Sequence, residues 1–166
     1  LGGPDLYHYV ESATPTPVGG WDVMDASSST PQSMSAYMKY KYTDWIEELP
    51  ILETSGIYQI NPLSSTTNNI FRINSPLTDN EYFVLEYRRK QGLYDIGTPG
   101  NDDGMLVYRI NTCCGGNADG PPDEVYIYRP NGDANTNGNL GLAIFNEETG
   151  RTKINDQTNP SGFLYP

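Results

Sequence analysis

The segment EYFVLEYR, residues 81–88, carries the clearest structural signal in this 166-residue sequence. Its residues fall into two alternating sets: Phe83, Leu85 and Tyr87 in one, and Tyr82, Val84, Glu86 and Arg88 in the other. Successive side chains of a β-strand point to opposite faces of a sheet, so the two sets would lie on opposite faces. The alternation therefore predicts a β-strand with one face in the hydrophobic core.

Short runs of β-branched and aromatic residues continue on both sides of this segment, separated by Gly, Asn and Pro. They predict strands at residues 57–60, 70–73, 81–89, 105–110, 124–129 and 140–145. Short strands at this spacing, with turn signals between them, are typical of an antiparallel sheet. The length of the chain suits one domain, and neither a repeat nor a low-complexity linker divides it.

Residues 1–50 have a different pattern. Residues 2–30 are rich in Gly, Pro and Ser and are predicted to form a surface loop. Thr30 and Pro31 are a typical N-cap and first-turn pair, and Pro50 would end the helix that they begin. Apolar side chains recur at helical spacing in between: Met34, Tyr37, Met38, Tyr42, Trp45, Ile46 and Leu49. The sequence thus predicts one helix at about 31–49 and a β-rich remainder at 51–166, an α+β fold that is mainly β.

The charge balance limits the classes of partner. The chain has 21 acidic and 10 basic residues and a net charge of −11, so nucleic acid and anionic membrane surfaces would repel it. Cations are favoured partners instead. No apolar run approaches the ~20 residues of a membrane-spanning helix, so no membrane insertion is expected. The 13 Tyr, 17 Gly and 13 Pro, with few Lys, suit a secreted or cell-surface protein.

Two short segments fit a zinc-site pattern of metzincin-type proteases. Those proteases carry HExxH on a helix, continue with xxGxx, and then place a third zinc ligand. In LGGPD, residues 1–5, Gly2 takes the glycine position and Asp5 the position of the third ligand. In GGWDVMD, residues 19–25, Met24 lies where these proteases have a Met-turn, which forms an apolar floor under the metal. Taken separately, the two segments also suit an ordinary turn and a core methionine.

Several longer segments strengthen this match. Together with PQSMSAYMKYKYTDW (31–45), EYFVLEYR (81–88), VYRIN (107–111), PDEVYIYRP (122–130) and GRTKINDQTNPSGFL (150–164), the two motifs resemble the secreted zinc metallopeptidases of the immune inhibitor A type. The resemblance implies an HExxH helix before Leu1 in an intact parent protein. That helix would supply two His ligands and the general-base Glu.

The resemblance also implies roles for residues of this chain. Asp5 would be the third zinc ligand, and His8 in the adjoining loop is the weaker alternative. Trp21 and Asp22 would shape the surroundings of Met24. With zinc bound, the intact parent would hydrolyse peptide bonds of a protein or peptide substrate through metal-activated water. The chain would then be an incomplete metzincin-like C-terminal subdomain, whose exposed edge would favour self-association.

A separate motif, DANTNG at residues 133–138, matches the first half of a calcium-binding loop. Asp133, Asn135 and Asn137 would supply oxygen ligands, and Gly138 would permit the sharp bend. The second half of the motif fails, because Ile144 stands where the bidentate Glu belongs. A calcium-binding hairpin loop and a self-capping Asx-turn are both consistent with the pattern.

Cys113 and Cys114 are adjacent, so they cannot join distant parts of the chain. We expect a pair of thiols in a loop, with a vicinal disulfide or an intermolecular contact as the alternative. The only His, His8, is far away in sequence, which disfavours a soft-metal site at the cysteines.

A function of another class also fits the sequence: a non-catalytic, tyrosine-rich binding module that holds calcium and contacts a protein or a polysaccharide. The positions of Asp5 and Met24 separate the two interpretations. Proximity at an open edge with apolar surface beside it favours the metallopeptidase. Placement on opposite sides of a closed molecule favours the binding module.

We predict that the 166-residue chain alone has no measurable endopeptidase activity. Asp5 and His8 supply at most two ligands, whereas a catalytic zinc generally uses three protein ligands, with a carboxylate base nearby. The measurement is cleavage of casein by the purified chain, with and without a chelator. Chelator-sensitive cleavage would contradict the prediction.

Overall fold

The structure, a computed structural model, describes residues 2–10, 15–133 and 135–154. These residues contain a four-stranded antiparallel sheet in the order β1-β2-β3-β4. The strands are β1 (Ile70–Asn74), β2 (Glu81–Arg88), β3 (Gly104–Asn111) and β4 (Val125–Ile127). The described helices are α1 (Ala36–Tyr42) and α2 (Gly92–Asp95), with 3-10 turns at Gly19–Trp21 and Leu140–Leu142. The predicted α+β, mainly β class is confirmed.

β2 and β3 form the centre of the sheet and pair from Glu81–Asn111 to Arg88–Gly104. The alternating segment 81–88 is β2 itself, and the bounds of β1 and β3 lie within one residue of their predicted bounds. β4 is shorter than the predicted 124–129 and pairs with β3 at Val125, Tyr126 and Ile127.

Two predicted strands are wrong. Residues 57–60 form no strand, and Ile57 is fully exposed. The edge of β1 that they could have joined is taken by residues 50–52, since Arg72 exchanges backbone hydrogen bonds with Pro50 and Leu52. Residues 140–145 begin as a 3-10 turn, and only Phe145 bridges to β3, at Met105.

The edge of the sheet formed by β4 is covered by the loop before α1. The Ile127 N–H donates to the Pro17 carbonyl at 3.1 Å. The buried guanidinium of Arg129 donates to the carbonyls of Thr16 and Pro17 at 2.7 and 2.9 Å. Irregular segments therefore cover part of both sheet edges, which limits pairing with other chains.

The helix is shorter than predicted, seven residues instead of residues 31–49. Asp44 has a left-handed backbone, with a φ of 55°, and the Trp45 N–H turns back to the Lys39 carbonyl. This reversal ends the helix before Trp45 and leaves the indole 62% exposed, although the sequence pattern had put it on the buried face. Neither described helix is long or apolar enough to cross a membrane.

The N-terminus of α1 is held by side chains distant in sequence, not by Thr30. The Ser35 N–H donates to Asp22 Oδ2 at 2.6 Å, and the Ala36 N–H donates to Glu86 Oε2 at 2.6 Å. The Tyr37 N–H donates to the Tyr108 hydroxyl at 3.0 Å. Free N–H groups at a helix start need acceptors, and an anion there also complements the helix dipole.

Both faces of the sheet are buried, whereas the alternation predicted one core face. The larger cluster lies on the face of α1 and includes Trp21, Met38, Tyr82, Val84, Leu106, Tyr108, Ile110 and Ile127. The smaller one on the opposite face contains Phe83, Val107, Tyr126, Tyr128 and Phe145. Glu86 and Arg88 lie on the same face of β2 as Tyr82 and Val84 and thus point into the larger core.

Glu86 and Arg88 form a fully buried ion pair in that core. Arg88 Nε donates to Glu86 Oε1 at 2.5 Å, and its other nitrogens reach Asp95 and the Trp21 carbonyl. Glu86 Oε2 accepts from the Tyr108 hydroxyl as well as from α1. Every buried polar atom of this pair therefore has a partner, which a buried charge requires.

We predict that Glu86→Gln lowers the free energy of unfolding by about 3 kcal/mol, because it removes the buried anion that Arg88 Nε contacts and leaves Asp95 as its remaining carboxylate partner. Chemical denaturation is the measurement. Glu53→Gln removes an exposed carboxylate and is the matched control, with an expected change below about 0.5 kcal/mol. Equal stability of the two variants would refute the role given to Glu86.

Candidate functional site

Residues 2–10 pack beside the turn that carries Met24. The Leu6 N–H donates to the Met24 carbonyl at 3.0 Å, and the Leu6 side chain is fully buried. At Gly3 a Cβ would lie 3.5 Å from Met38 Cε and 3.8 Å from Met24 Cε. Asp5, the neighbour of Leu6, therefore lies close to the Met24 turn, as the sequence motifs require of a shared site.

Asp5 is half-buried as a residue, and its carboxylate makes an exposed local hydrogen bond. The Tyr9 hydroxyl donates to Asp5 Oδ2 at 2.6 Å, and the Asp5 carbonyl accepts the Asn117 N–H at 2.9 Å. The hydrogen bond and the negative charge of Asp5 raise the pKa of the exposed Tyr9 hydroxyl. Hydrogen bonds to the side chain and to the backbone of Asp5 therefore fix its orientation.

Two carboxylates fix the backbone of the turn. Buried Asp22 accepts the Met24 N–H at 2.8 Å through Oδ1, while its Oδ2 accepts the Ser35 N–H. Asp25 Oδ2 accepts the Val18 and Gly19 N–H groups at 3.2 and 2.7 Å. Burial raises the pKa of Asp22, and these hydrogen bonds oppose that rise. The turn is therefore tied both to itself and to α1.

Trp21 and Asp22 were both predicted to lie around Met24, and they differ in what they contact. Asp22 contacts the Met24 backbone directly. Trp21 belongs to the larger core, and its Nε1 donates to the Leu140 carbonyl at 2.8 Å. Trp21 thus anchors the turn to the 3-10 turn at Leu140–Leu142.

His8 lies in a buried polar contact. Its Nε2 is 2.6 Å from Asp123 Oδ1, and the His8 side chain is 4% exposed. Burial raises the pKa of Asp123, and the hydrogen bond with His8 opposes the rise. His8 thus links residues 2–10 to the segment before β4, and its Nε2 already contacts a carboxylate.

The sequence predicts Asp5 as one ligand of a zinc site, and the described residues do not complete such a site. Within residues 2–10, 15–133 and 135–154, no group of three or more His, Cys, Asp and Glu side chains could hold a metal ion. Asp5 nevertheless suits a single ligand position, since its carboxylate is oriented by Tyr9 and the backbone of the next residue, Leu6, is bonded to that of Met24.

A buried cluster around Glu124 was missed in the sequence, where Glu124 looks like an ordinary strand residue. Its carboxylate accepts from the hydroxyls of Tyr37 and Tyr42 at 2.6 and 2.8 Å, from the Gly116 N–H at 2.5 Å, and from Lys41. Burial and these hydrogen bonds raise the pKa of both tyrosines. The cluster fastens α1 to the segment around Gly116.

The DANTNG loop has the hydrogen bonds of an Asx-turn. Asp133 Oδ1 accepts the Asn135 N–H at 2.7 Å, and this bond lowers the pKa of Asp133. Asn137 Oδ1 accepts the Thr16 N–H at 2.7 Å, and Gly138 has the predicted bend, with a φ of 61°. Ala134 lies outside the described residues. Calcium binding at this loop stays a prediction.

Cys113 and Cys114 are free thiols in the loop after β3. Burial, aided by the neighbouring thiol, raises the pKa of Cys114 to about 12. A thiol with so high a pKa is a weak nucleophile at neutral pH.

No protein-family model, curated protein or solved structure matches this chain. What the arrangement offers chemically is one oriented carboxylate beside a methionine turn whose backbone is held by buried acids. A metal ion bound there would need further ligands besides Asp5.

We predict that Asp5→Asn lowers the pKa of the Tyr9 hydroxyl, because it removes the anion that resists a second negative charge nearby. The measurement is an NMR titration of the ring carbons of labelled tyrosine. Asp119→Asn removes an equal charge that lacks the hydrogen bond, so it should lower the pKa less. An equal effect of the two variants would exclude the Asp5–Tyr9 bond.

Proposed function

We propose that this chain is the C-terminal part of the catalytic region of a secreted zinc metalloendopeptidase. Asp5 is the third zinc ligand in this proposal, and Met24 lies in the Met-turn beside it. The observation that carries the proposal is the backbone hydrogen bond between Leu6 and Met24. It brings together two motifs that the zinc-site pattern also requires to meet.

The rigidity of both motifs supports the proposal. A metal ligand works best when a second contact orients it, and Tyr9 provides such a contact to Asp5. Asp22 and Asp25 bind backbone N–H groups in and around the turn, so Met24 is held without depending on a metal. A protease site needs this preorganisation, because the position of its ligands sets the geometry of the reacting atoms.

Zinc, when bound, supplies Lewis acidity and lowers the pKa of a water molecule to the neutral range. Asp5 contributes one anionic oxygen donor. Met24 and Met38 give the site an apolar side, since the methyl groups of both lie next to Gly3, two residues before Asp5. An apolar side strengthens the electrostatic effect of the donor by excluding water.

The remaining donors and the general base come, in this proposal, from an HExxH helix before Leu1 in the intact protein. The surface beside Asp5 supports this assignment. Tyr7, Tyr9 and Val10 are 42%, 62% and 62% exposed, and clustered exposed apolar side chains mark surfaces that bind other structure. A helix packed there would bury them and bring its ligands towards Asp5.

We predict that Asp5→Asn, in the protein expressed from its complete gene, lowers zinc affinity by at least about tenfold, since even outer partners of metal ligands contribute that much. Chelator-sensitive cleavage of casein should fall with it. Zinc content by mass spectrometry and cleavage rate are the measurements. Asp79→Asn, in the exposed turn between β1 and β2, is the matched control and should change neither.

Two results would contradict the proposal. One is a complete gene product that binds no zinc. The other is an Asp5→Asn variant that keeps full zinc affinity and cleavage while its melting temperature shows that it is folded.

A further inference from the structure

A cleft of about 710 Å³ opens between the end of α1 and the loop that precedes β1. Its lining includes Lys39 from the helix, Trp45 and Ile46 from the segment that follows it, and residues 63–70 from the loop. Its volume lies within the range of small-molecule binding sites, roughly 300–1,000 Å³. The cleft shares no lining residue with Asp5, Met24 or their contacts.

Trp45 is the most unusual residue of the cleft. Its side chain is 62% exposed, whereas Trp21, the other tryptophan, is 1% exposed. The left-handed backbone of Asp44 and the Trp45 N–H bond to Lys39 direct this residue away from the core. A large, flat apolar surface is therefore kept in water at the side of a cleft, where it is available for stacking.

Another part of the lining is a loop of hydroxyl and amide side chains, SSTTNN at residues 64–69. Hydrogen bonds fix its backbone: Asn69 donates to the Ser65 carbonyl at 2.5 Å and Asn61 to the Thr67 carbonyl at 2.8 Å. The Asn61 N–H also donates to the Asn68 carbonyl. Ser64, Thr66, Thr67 and Asn68 remain exposed, so their polar groups face solvent from a fixed backbone.

The charges of the cleft disfavour anionic ligands. Glu47 and Glu48 are exposed in its lining, and the chain as a whole carries a net charge of −11, so anions are repelled. Lys39, whose Nζ donates to Ser33 Oγ at 2.9 Å, puts a positive charge on the same side as Trp45. A neutral ligand rich in hydroxyl groups suits these walls.

We propose that this cleft binds a neutral oligosaccharide. The Trp45 ring stacks on the apolar C–H face of a sugar, and the hydroxyl and amide groups of residues 64–69 exchange hydrogen bonds with the sugar hydroxyls. The carboxylates of Glu47 and Glu48 accept further hydrogen bonds from them. Binding is non-covalent and does not depend on the zinc site.

The two tryptophans of the chain allow a direct test. In the full 166-residue chain labelled with ¹⁵N, the indole N–H signals of Trp45 and Trp21 are followed while cellohexaose, xylohexaose and chitohexaose are added in turn. We expect at least one of these sugars to shift the Trp45 signal with saturation. Buried Trp21 is the internal control and should not shift.

Variants then locate the binding surface. Trp45→Ala should weaken binding of that sugar by about tenfold or more, as loss of an aromatic contact at the centre of a binding site does. Trp45→Phe should restore part of the affinity, and Thr66→Ala should lower affinity about threefold through one lost hydrogen bond. Tyr94→Ala removes an aromatic ring of similar exposure outside the cleft and should bind as the wild type does.

Three results would overturn the proposal. The first is the absence of any Trp45 shift with all three sugars at about 10 mM, which excludes dissociation constants in the millimolar range. The second is equal binding by folded Trp45→Ala and by the wild type. The third is a Trp45 shift caused by peptides but by none of the sugars.

Discussion

The buried carboxylate of Glu86 is the interaction on which the rest of the structure depends. It lies in the central strand β2 and accepts hydrogen bonds from the start of α1, from Tyr108 on β3 and from Arg88. One side chain thus joins helix and sheet. A charge in such a position is tolerated only because all of these donors are in place, so the elements that carry them must assemble together.

The position of Asp5, the proposed zinc ligand, depends on that assembly. Arg88, held by Glu86, donates to the Trp21 carbonyl at one end of the Met24 turn. Asp22, in the same turn, accepts the Ser35 N–H beside the helix start. The Met24 carbonyl in that turn accepts the Leu6 N–H, and this bond fixes the position of the neighbouring residue, Asp5. A continuous set of hydrogen bonds therefore connects the core ion pair to the proposed ligand, and the ligand position depends on core packing.

The two proposed sites lie near different ends of α1. The Met24 turn contacts the residues at its start, whereas the Trp45 cleft opens where the helix ends. Neither site needs the other to bind its own ligand, because they share no lining residue.

The sequence alone was enough to predict the central strands and the candidate motifs, because both depend on local patterns. The alternation in residues 81–88 identified β2, similar runs identified β1 and β3, and the match to a metzincin pattern implied that Asp5 and Met24 lie near each other. The two wrong strands depended on contacts with distant segments, and the shortened helix and the exposure of Trp45 followed from a backbone reversal at Asp44 that the helical periodicity did not reveal. The Glu86–Ala36 bond spans 50 residues and the Tyr37–Glu124 bond 87, so only the folded chain decides which polar groups find acceptors. Local patterns record how a segment would fold by itself, and tertiary hydrogen bonds decide where it begins, ends and is buried.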